Sequence, residues 1–199
     1  MAIISNATTI ADAGAFSVSL GSLVHIKSLT ASSSSTLSFV HGSSNVVLDG
    51  TYPIYKFEFI NMHPDSAYND FMFNASADSG SNYNVSKTSS FFSVINPHGV
   101  EYGSALDVSN NTGFMNLTDN TGSGDTQGLS GYMLVFAPSN TTFSKHFICN
   151  FSSYENTTQI STYVAGFMNT TSAVNAFQFK FAGQNMGAGK IKLYGIKDS

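Results

Sequence analysis

Tyr55-Lys56-Phe57-Glu58-Phe59 decides the architecture. Rings occupy every second position and charges the positions between. In an extended chain, whose side chains alternate faces, the rings share one face and the charges meet solvent. Phe177-Gln178-Phe179-Lys180-Phe181 repeats the arrangement near the other end. The same period of two, with aromatic and β-branched enrichment, marks Phe71-Met72-Phe73, Tyr83-Asn84-Val85, Tyr132 to Phe136 and Phe147-Ile148-Cys149 as strands of about five residues each. Earlier strands are expected around Ala15 to Leu20, Val24 to Leu29, Thr36 to Val40 and Val46 to Leu48. Turn residues separate these runs at Asp49-Gly50, His63-Pro64-Asp65, Asp78-Ser79-Gly80-Ser81, Pro138-Ser139-Asn140 and Gly187-Ala188-Gly189, while Ser32 to Ser35 reads as a hairpin loop. No segment carries an amphipathic helical period. Many short strands with regular turns predict an all-β fold, an antiparallel β-sandwich.

Composition bounds what such a fold can do. With 199 residues the chain suits a single β-sandwich domain spanning 1–199, and 17 Phe with 9 Tyr supply apolar area for its core. Only 10% of residues are charged, the net charge is -4, and every basic residue is a lysine. Nucleic-acid affinity comes mainly from clustered cations that release counterions, so that function is excluded. Lys190, Lys192 and Lys197 make at most a local positive edge. The lone Cys149 sits in an apparent strand and reads as a core thiol. No stretch approaches the roughly 20 apolar residues of a membrane-spanning helix, and the first residues lack a signal-peptide pattern, so the expected place of folding is a cytoplasm. Nine Asn-x-Ser/Thr sequons, at Asn6, Asn74, Asn84, Asn110, Asn116, Asn140, Asn150, Asn156 and Asn169, follow from the richness in those residue types.

One region breaks the rhythm. From Asn96 to Gly131 the chain is crowded with Gly, Asn, Asp, Ser and Thr and holds few apolar anchors beyond Val100, Tyr102, Leu106, Phe114, Met115, Leu117 and Leu129. It reads as a long loop excursion at 96–131, either a partner-contacting surface or a spacer. Phe114, Met115 and Leu117 form an apolar cluster in a polar loop, to be tucked under or docked at an interface.

Chemistry-bearing constellations are sparse. His25, His41, His63, His98 and His146 lie at no metal-ligand spacing, and no Gly-x-Ser-x-Gly elbow stands between a strand and a helix. Glu58, Glu101 and Glu155 offer no evident glycosidase pair. Asp119-Asn120-Thr121-Gly122-Ser123-Gly124-Asp125 gathers hard oxygen ligands in a turning loop, which makes Asp119 and Asp125 candidate calcium ligands, although the run departs from the EF-hand pattern. Tyr68, Tyr102 and Tyr154 fall in predicted loops and could stack on a sugar, with Asn or Asp binding its hydroxyls.

Three stretches carry a family likeness: Tyr52 to Pro64, Gly131 to Pro138, and Ala173 to Phe179 leading to Gly189-Lys190-Ile191-Lys192-Leu193-Tyr194-Gly195-Ile196-Lys197. They resemble the small structural proteins of tailed, particularly marine, bacteriophages, in which an aromatic strand enters an Asn-then-Pro turn and the domain closes on a Gly-x-Ile-x-Leu-Tyr-Gly strand. The excursion has no counterpart in that pattern. In the closing strand, period two sends Ile191 and Leu193 one way and Lys190, Lys192 and Tyr194 the other, and Gly195 admits a close neighbour. The resemblance implies a jelly-roll-like sandwich and a non-enzymatic virion component, a capsid decoration or tail appendage, assembled in the host cytoplasm. It also implies other virion proteins as partners and a homo-oligomer such as a trimer. A carbohydrate-binding receptor module on the same particle, meeting a host glycan, is the alternative, and a calcium-dependent or hydrolytic sandwich enzyme the third.

Overall fold

The computed structural model describes residues 3–5, 8–12, 15–16, 22–66, 68–97 and 102–198, and their side chains from 22 onward except at 102–108. Every regular element among them is a strand. Strands β1 (Ile3–Ser5), β2 (Thr8–Asp12) and β3 (Ala15–Phe16) pair antiparallel with one another. The large sheet contains β4 (Leu23–Thr30), β6 (Ile54–Pro64), β8 (Lys87–Pro97), β9 (Tyr102–Asn111), β11 (Gly128–Phe136), β12 (Lys145–Glu155), β13 (Thr158–Met168) and β15 (Met186–Ile196). Its spatial order is β4-β15-β6-β11-β12-β13-β8-β9, antiparallel throughout. The small sheet is β5 (Leu37–Val40), β7 (Phe71–Ser76), β10 (Met115–Asn116) and β14 (Ala176–Phe181), in the order β10-β7-β14-β5. The two pack face to face as the expected β-sandwich. The jelly-roll refinement stays with the family resemblance.

The alternation that predicts the sandwich also builds its core. Tyr55, Phe57 and Phe59 of β6 point inward and are buried, as are Phe177, Phe179 and Phe181 of β14. Phe179 is the hub: its ring centroid lies 5.0 Å from that of Phe59, 5.1 Å from Phe57, 6.1 Å from Phe71 and 6.4 Å from both Phe39 and Phe73. These contacts, edge-to-face with Phe39, Phe57 and Phe59 and stacked with Phe71 and Phe73, add to the area term that drives burial. Cys149 is buried as expected, and its apolar surroundings push its thiol pKa up. On β15, Ile191 and Leu193 are buried and their neighbours face outward. A Cβ at Gly195 would fall 2.3 Å from the Tyr52 ring, so glycine is required for that ring to lie flat on the strand.

Several expectations are corrected. Val46 to Leu48 is a loop, not a strand: Gly42, Ser44 and Asn45 have positive φ and coil the chain tightly, while Val46 and Leu48 still plug the core. Tyr83 to Val85 is likewise irregular. His63-Pro64 belongs to β6, and Gly187 to Gly189 lies inside β15 as a bulge instead of a turn, with register shifts on both sides of Ala188. Gly189, at φ 119°, lets Met62 and the Asn61 carbonyl close in where a Cβ would stand 2.6 Å from each. The strand expected over Ala15 to Leu20 is described only as β3, its remainder lying outside the described residues. The excursion at 96–131 is not one loop: β8 runs to Pro97, β9 takes Tyr102–Asn111, β10 adds a short edge to the small sheet, and β11 begins at Gly128. Val100 and His98 lie outside the described residues.

Candidate functional site

The residues singled out in the sequence scatter. Met115 and Leu117 are tucked under, at 2% and 0% exposure, so they are core and present nothing to a partner. Phe114 is half-buried, with the Lys180 ammonium 4.6 Å from its ring centre. Tyr68 is exposed in a loop as expected. Tyr102 and Tyr154 are strand residues, of β9 and β12, not loop residues; Tyr102 pairs with Ile95 and its side chain is outside the described set. Asp119 is half-buried and accepts a hydrogen bond from Ser93 Oγ at 2.9 Å, whereas Asp125 is exposed in a turn closed by Gln127 N–H donating to Gly124 O at 2.8 Å. Among the described residues no three His, Cys, Asp or Glu side chains gather as a metal cluster.

The outer face of the large sheet holds a feature that binary patterning misses. Phe92 of β8 pairs directly with Tyr163 of β13, their ring centroids 6.4 Å apart. One row over, Ile148 of β12 lies between Ala165 and Leu134. Phe92, Val94, Ile148 and Tyr163 are each 42–49% exposed. A scattered exposed hydrophobe is ordinary, but neighbouring ones on a flat sheet make a patch. Across β11 the face turns polar: Lys56 lies 5.6 Å from the Tyr132 ring centre and bridges Glu58 at 2.8 Å, and the hydrogen bond and charge of Lys56 hold the Glu58 carboxyl below its ordinary pKa.

A second feature follows from unequal sheet widths. Where β8 and β9 meet β10, the edge of the small sheet, a cleft of about 320 Å³ opens, lined by Ser89, Phe91, Ser109, Asn111, Phe114, Met115 and Asn116. Asn111 Nδ2 donates to Ser109 Oγ at 2.7 Å, and Asn116 Nδ2 to Asp70 Oδ2 at 2.8 Å. Its described lining offers amides, hydroxyls and ring surface. Such a wall can hold a neutral polar ligand.

The third feature lies inside. Segment 117–122 is tied to the large sheet where Ser93 Oγ donates to Asp119 and Gly122 N–H donates to Tyr154 O at 3.3 Å, while Thr118 Oγ1 accepts from Phe71 N–H at 3.2 Å and lies 3.5 Å from Thr121 Oγ1. Thr118 and Thr121, and Ser93, Ser153 and Thr162 on the inner face of the large sheet, are all buried, and Ser153 Oγ and Thr162 Oγ1 have no hydrogen-bond partner. Burial, and then the neighbouring Asp119, raise the Asp70 carboxyl pKa; burial, and then Asp70, raise that of Glu155. The alternation of apolar and polar residues that flags a strand gives no warning of this, because it assigns serine and threonine to solvent. The chain matches no protein-family model and no curated protein sequence.

Proposed function

We propose that the chain is a non-enzymatic structural module that assembles through the outer face of its large sheet, in keeping with the phage virion proteins its sequence resembles. The carrying observation is the Phe92, Val94, Tyr163 and Ile148 patch, which leaves ring and aliphatic surface in water on three adjacent strands. Removing such surface from water is the main favourable term in most protein association. A second copy of the chain is the first partner, and other virion proteins at a capsid or tail position are the wider set. On this reading the module is a jelly-roll-like building block, and its site is a surface. Light scattering across a dilution series tests it. The wild type is expected to be oligomeric, and the double variant Phe92→Ser with Tyr163→Ser monomeric with its fold retained. A wild type that stays monomeric at every concentration, or a variant that associates equally, overturns the assembly face.

The described lining of the cleft favours one other reading, carbohydrate recognition. Amide and hydroxyl groups beside the Phe91 and Phe114 rings are the chemistry that grips sugar hydroxyls and their apolar faces. Glycan-array binding lost on Asn111→Ala and Phe114→Ala would support it; binding unaffected by both would remove it.

A further inference from the structure

We propose that the cationic half of the large sheet's outer face, on β6, β15 and β4, binds an anionic polysaccharide. Strand register lays its side chains out in two rows. Tyr132 of β11 lies beside Glu58, Glu58 beside Lys192, and Lys192 beside Ser28. In the next row Lys56, Tyr194 and His25 follow one another across β6, β15 and β4. Lys190 stands two residues from Lys192 on the same side of β15, a separation of roughly 7 Å. These side chains interlock. The His25 ring meets Tyr194 edge to face at 5.4 Å between centroids, and its Nε2 lies 2.8 Å from Ser28 Oγ. The Lys56 hydrogen bond first, then the nearby Tyr194 hydroxyl and the Lys192 charge, lower the Glu58 pKa.

Positive charge gathers here against the trend of the chain. The protein has eight basic residues, all lysines, and a net charge of -4. Lys87 and Lys145 are buried. Of the six that meet water, Lys56, Lys190 and Lys192 share this half-face with a single carboxylate, Glu58. Glu58 is taken up by Lys56 at 2.8 Å, which leaves Lys190 and Lys192 without an ion pair among the described residues. A local positive field of this kind draws anions even to a molecule that is negative as a whole.

The groups around those charges select the anion. Nucleic acid needs a longer run of cations to release its counterions. An acidic peptide can engage the lysines but brings few hydroxyls to the acceptors on Glu58, Ser28 and His25. A pyranose chain bearing carboxylate or sulfate groups supplies both, anions for Lys190 and Lys192 and hydroxyls for the acceptors. Tyr132 and Tyr194, half-buried on the two strands that flank β6, add ring surface for the apolar faces of its sugars. An open sheet face suits an extended polymer, whereas a small ligand needs a concave pocket. Phe92, Val94, Ile148 and Tyr163 lie beyond β11, on β8, β12 and β13, so the site stands independently of the assembly patch.

Binding of the full chain to immobilised polygalacturonate and dextran sulfate, with uncharged dextran and polyglutamate alongside, is the test. The wild type is expected to bind at least one of the two acidic polysaccharides, more weakly as salt rises. The tighter of the two identifies carboxylate or sulfate as the group recognised. Lys190→Gln with Lys192→Gln should lose affinity at least about tenfold at an unchanged melting temperature. Lys180→Gln, which removes the same charge from β14 of the small sheet, should bind as the wild type does. No binding of either acidic polysaccharide at low salt would overturn the site. So would dextran or polyglutamate bound as tightly as they are, affinity unchanged in the double lysine variant, or an equal loss in Lys180→Gln.

Discussion

Replacing Lys87 by Met should make the difference in stability between wild type and variant depend on pH. Lys87 is on the inner face of β8 with 0% exposure. Its Nζ donates to Asn74 Oδ1 at 2.6 Å and to Val85 O at 2.8 Å, and lies 5.8 Å from the centre of the Phe73 ring. No carboxylate among the described side chains offsets the burial, which lowers the amine pKa from 10.5 to about 8. At about 1.4 kcal/mol for each pKa unit, that drop is a penalty of about 3 kcal/mol on the folded, protonated form. Below pH 8 both folded and unfolded chains hold the proton and the penalty is complete. Between about 8 and 10.5 the unfolded chain binds more protons than the folded one, so stability rises with pH, and above 10.5 the penalty is gone. Tyr55, whose pKa burial pushes up to about 12, and Cys149 act in the opposite sense at high pH, because the unfolded chain ionises them first. Both remain in the variant and cancel in the difference. Urea unfolding followed by tyrosine fluorescence, which suits a chain without tryptophan, should show the wild type gaining about 2 to 3 kcal/mol on Lys87→Met between pH 7 and pH 10. A constant difference across that range would mean that water reaches the ammonium, and the reasoning would fail.

Two further outcomes test the core. Phe179→Ala removes the ring on which five others converge and should cost roughly 3–5 kcal/mol, while Phe143→Ala, at a side chain 69% exposed, should fall within about 0.5 kcal/mol of wild type; equal losses in chemical denaturation would dissolve the hub. The one thiol, Cys149, should resist an aromatic disulfide reagent in native buffer and react fully in denaturant, and rapid native labelling would place the inner face of β12 in water.

What was legible in the sequence was whatever keeps rings and charges on opposite faces. β6, β14 and the closing run of β15 do so, and their inward residues are the buried ones. β8, β9 and β13 went unread. In β13 the inward positions are Ile160, Thr162, Val164, Gly166 and Met168, and the outward ones include Tyr163, Ala165 and Phe167. In β8 the inward set contains Lys87, Ser89 and Ser93, against Phe92 and Val94 outside. Each face mixes apolar and polar types, so a period-two search finds no contrast. Strand length was hidden for the same reason: β12 was visible only over Phe147 to Phe151, yet it begins at Lys145 and runs on through two serines to Glu155. Asp119 stands out through local spacing, but Ser93, whose hydroxyl donates to it, is 26 residues away and meets it only through the packing of the 117–122 segment against β8.

The strands that resisted reading also carry the outer patch and the cleft, and one cause underlies both. A strand whose two faces serve a single core can separate apolar from polar cleanly. β8 and β13 do not: they present Phe92 and Tyr163 to the outside, and bury on the inner face Thr162 and Ser93, the latter donating to Asp119. Each departure costs stability, exposed aromatic surface on one side and desolvated hydroxyls on the other. Departures of this kind are expected at functional or strained positions. Substituting both faces at once distinguishes design from accident. If Phe92→Ser with Thr162→Val leaves the monomer at least as stable as wild type while the oligomer is lost, then the misplaced residues on β8 and β13 are not held there by the demands of the fold.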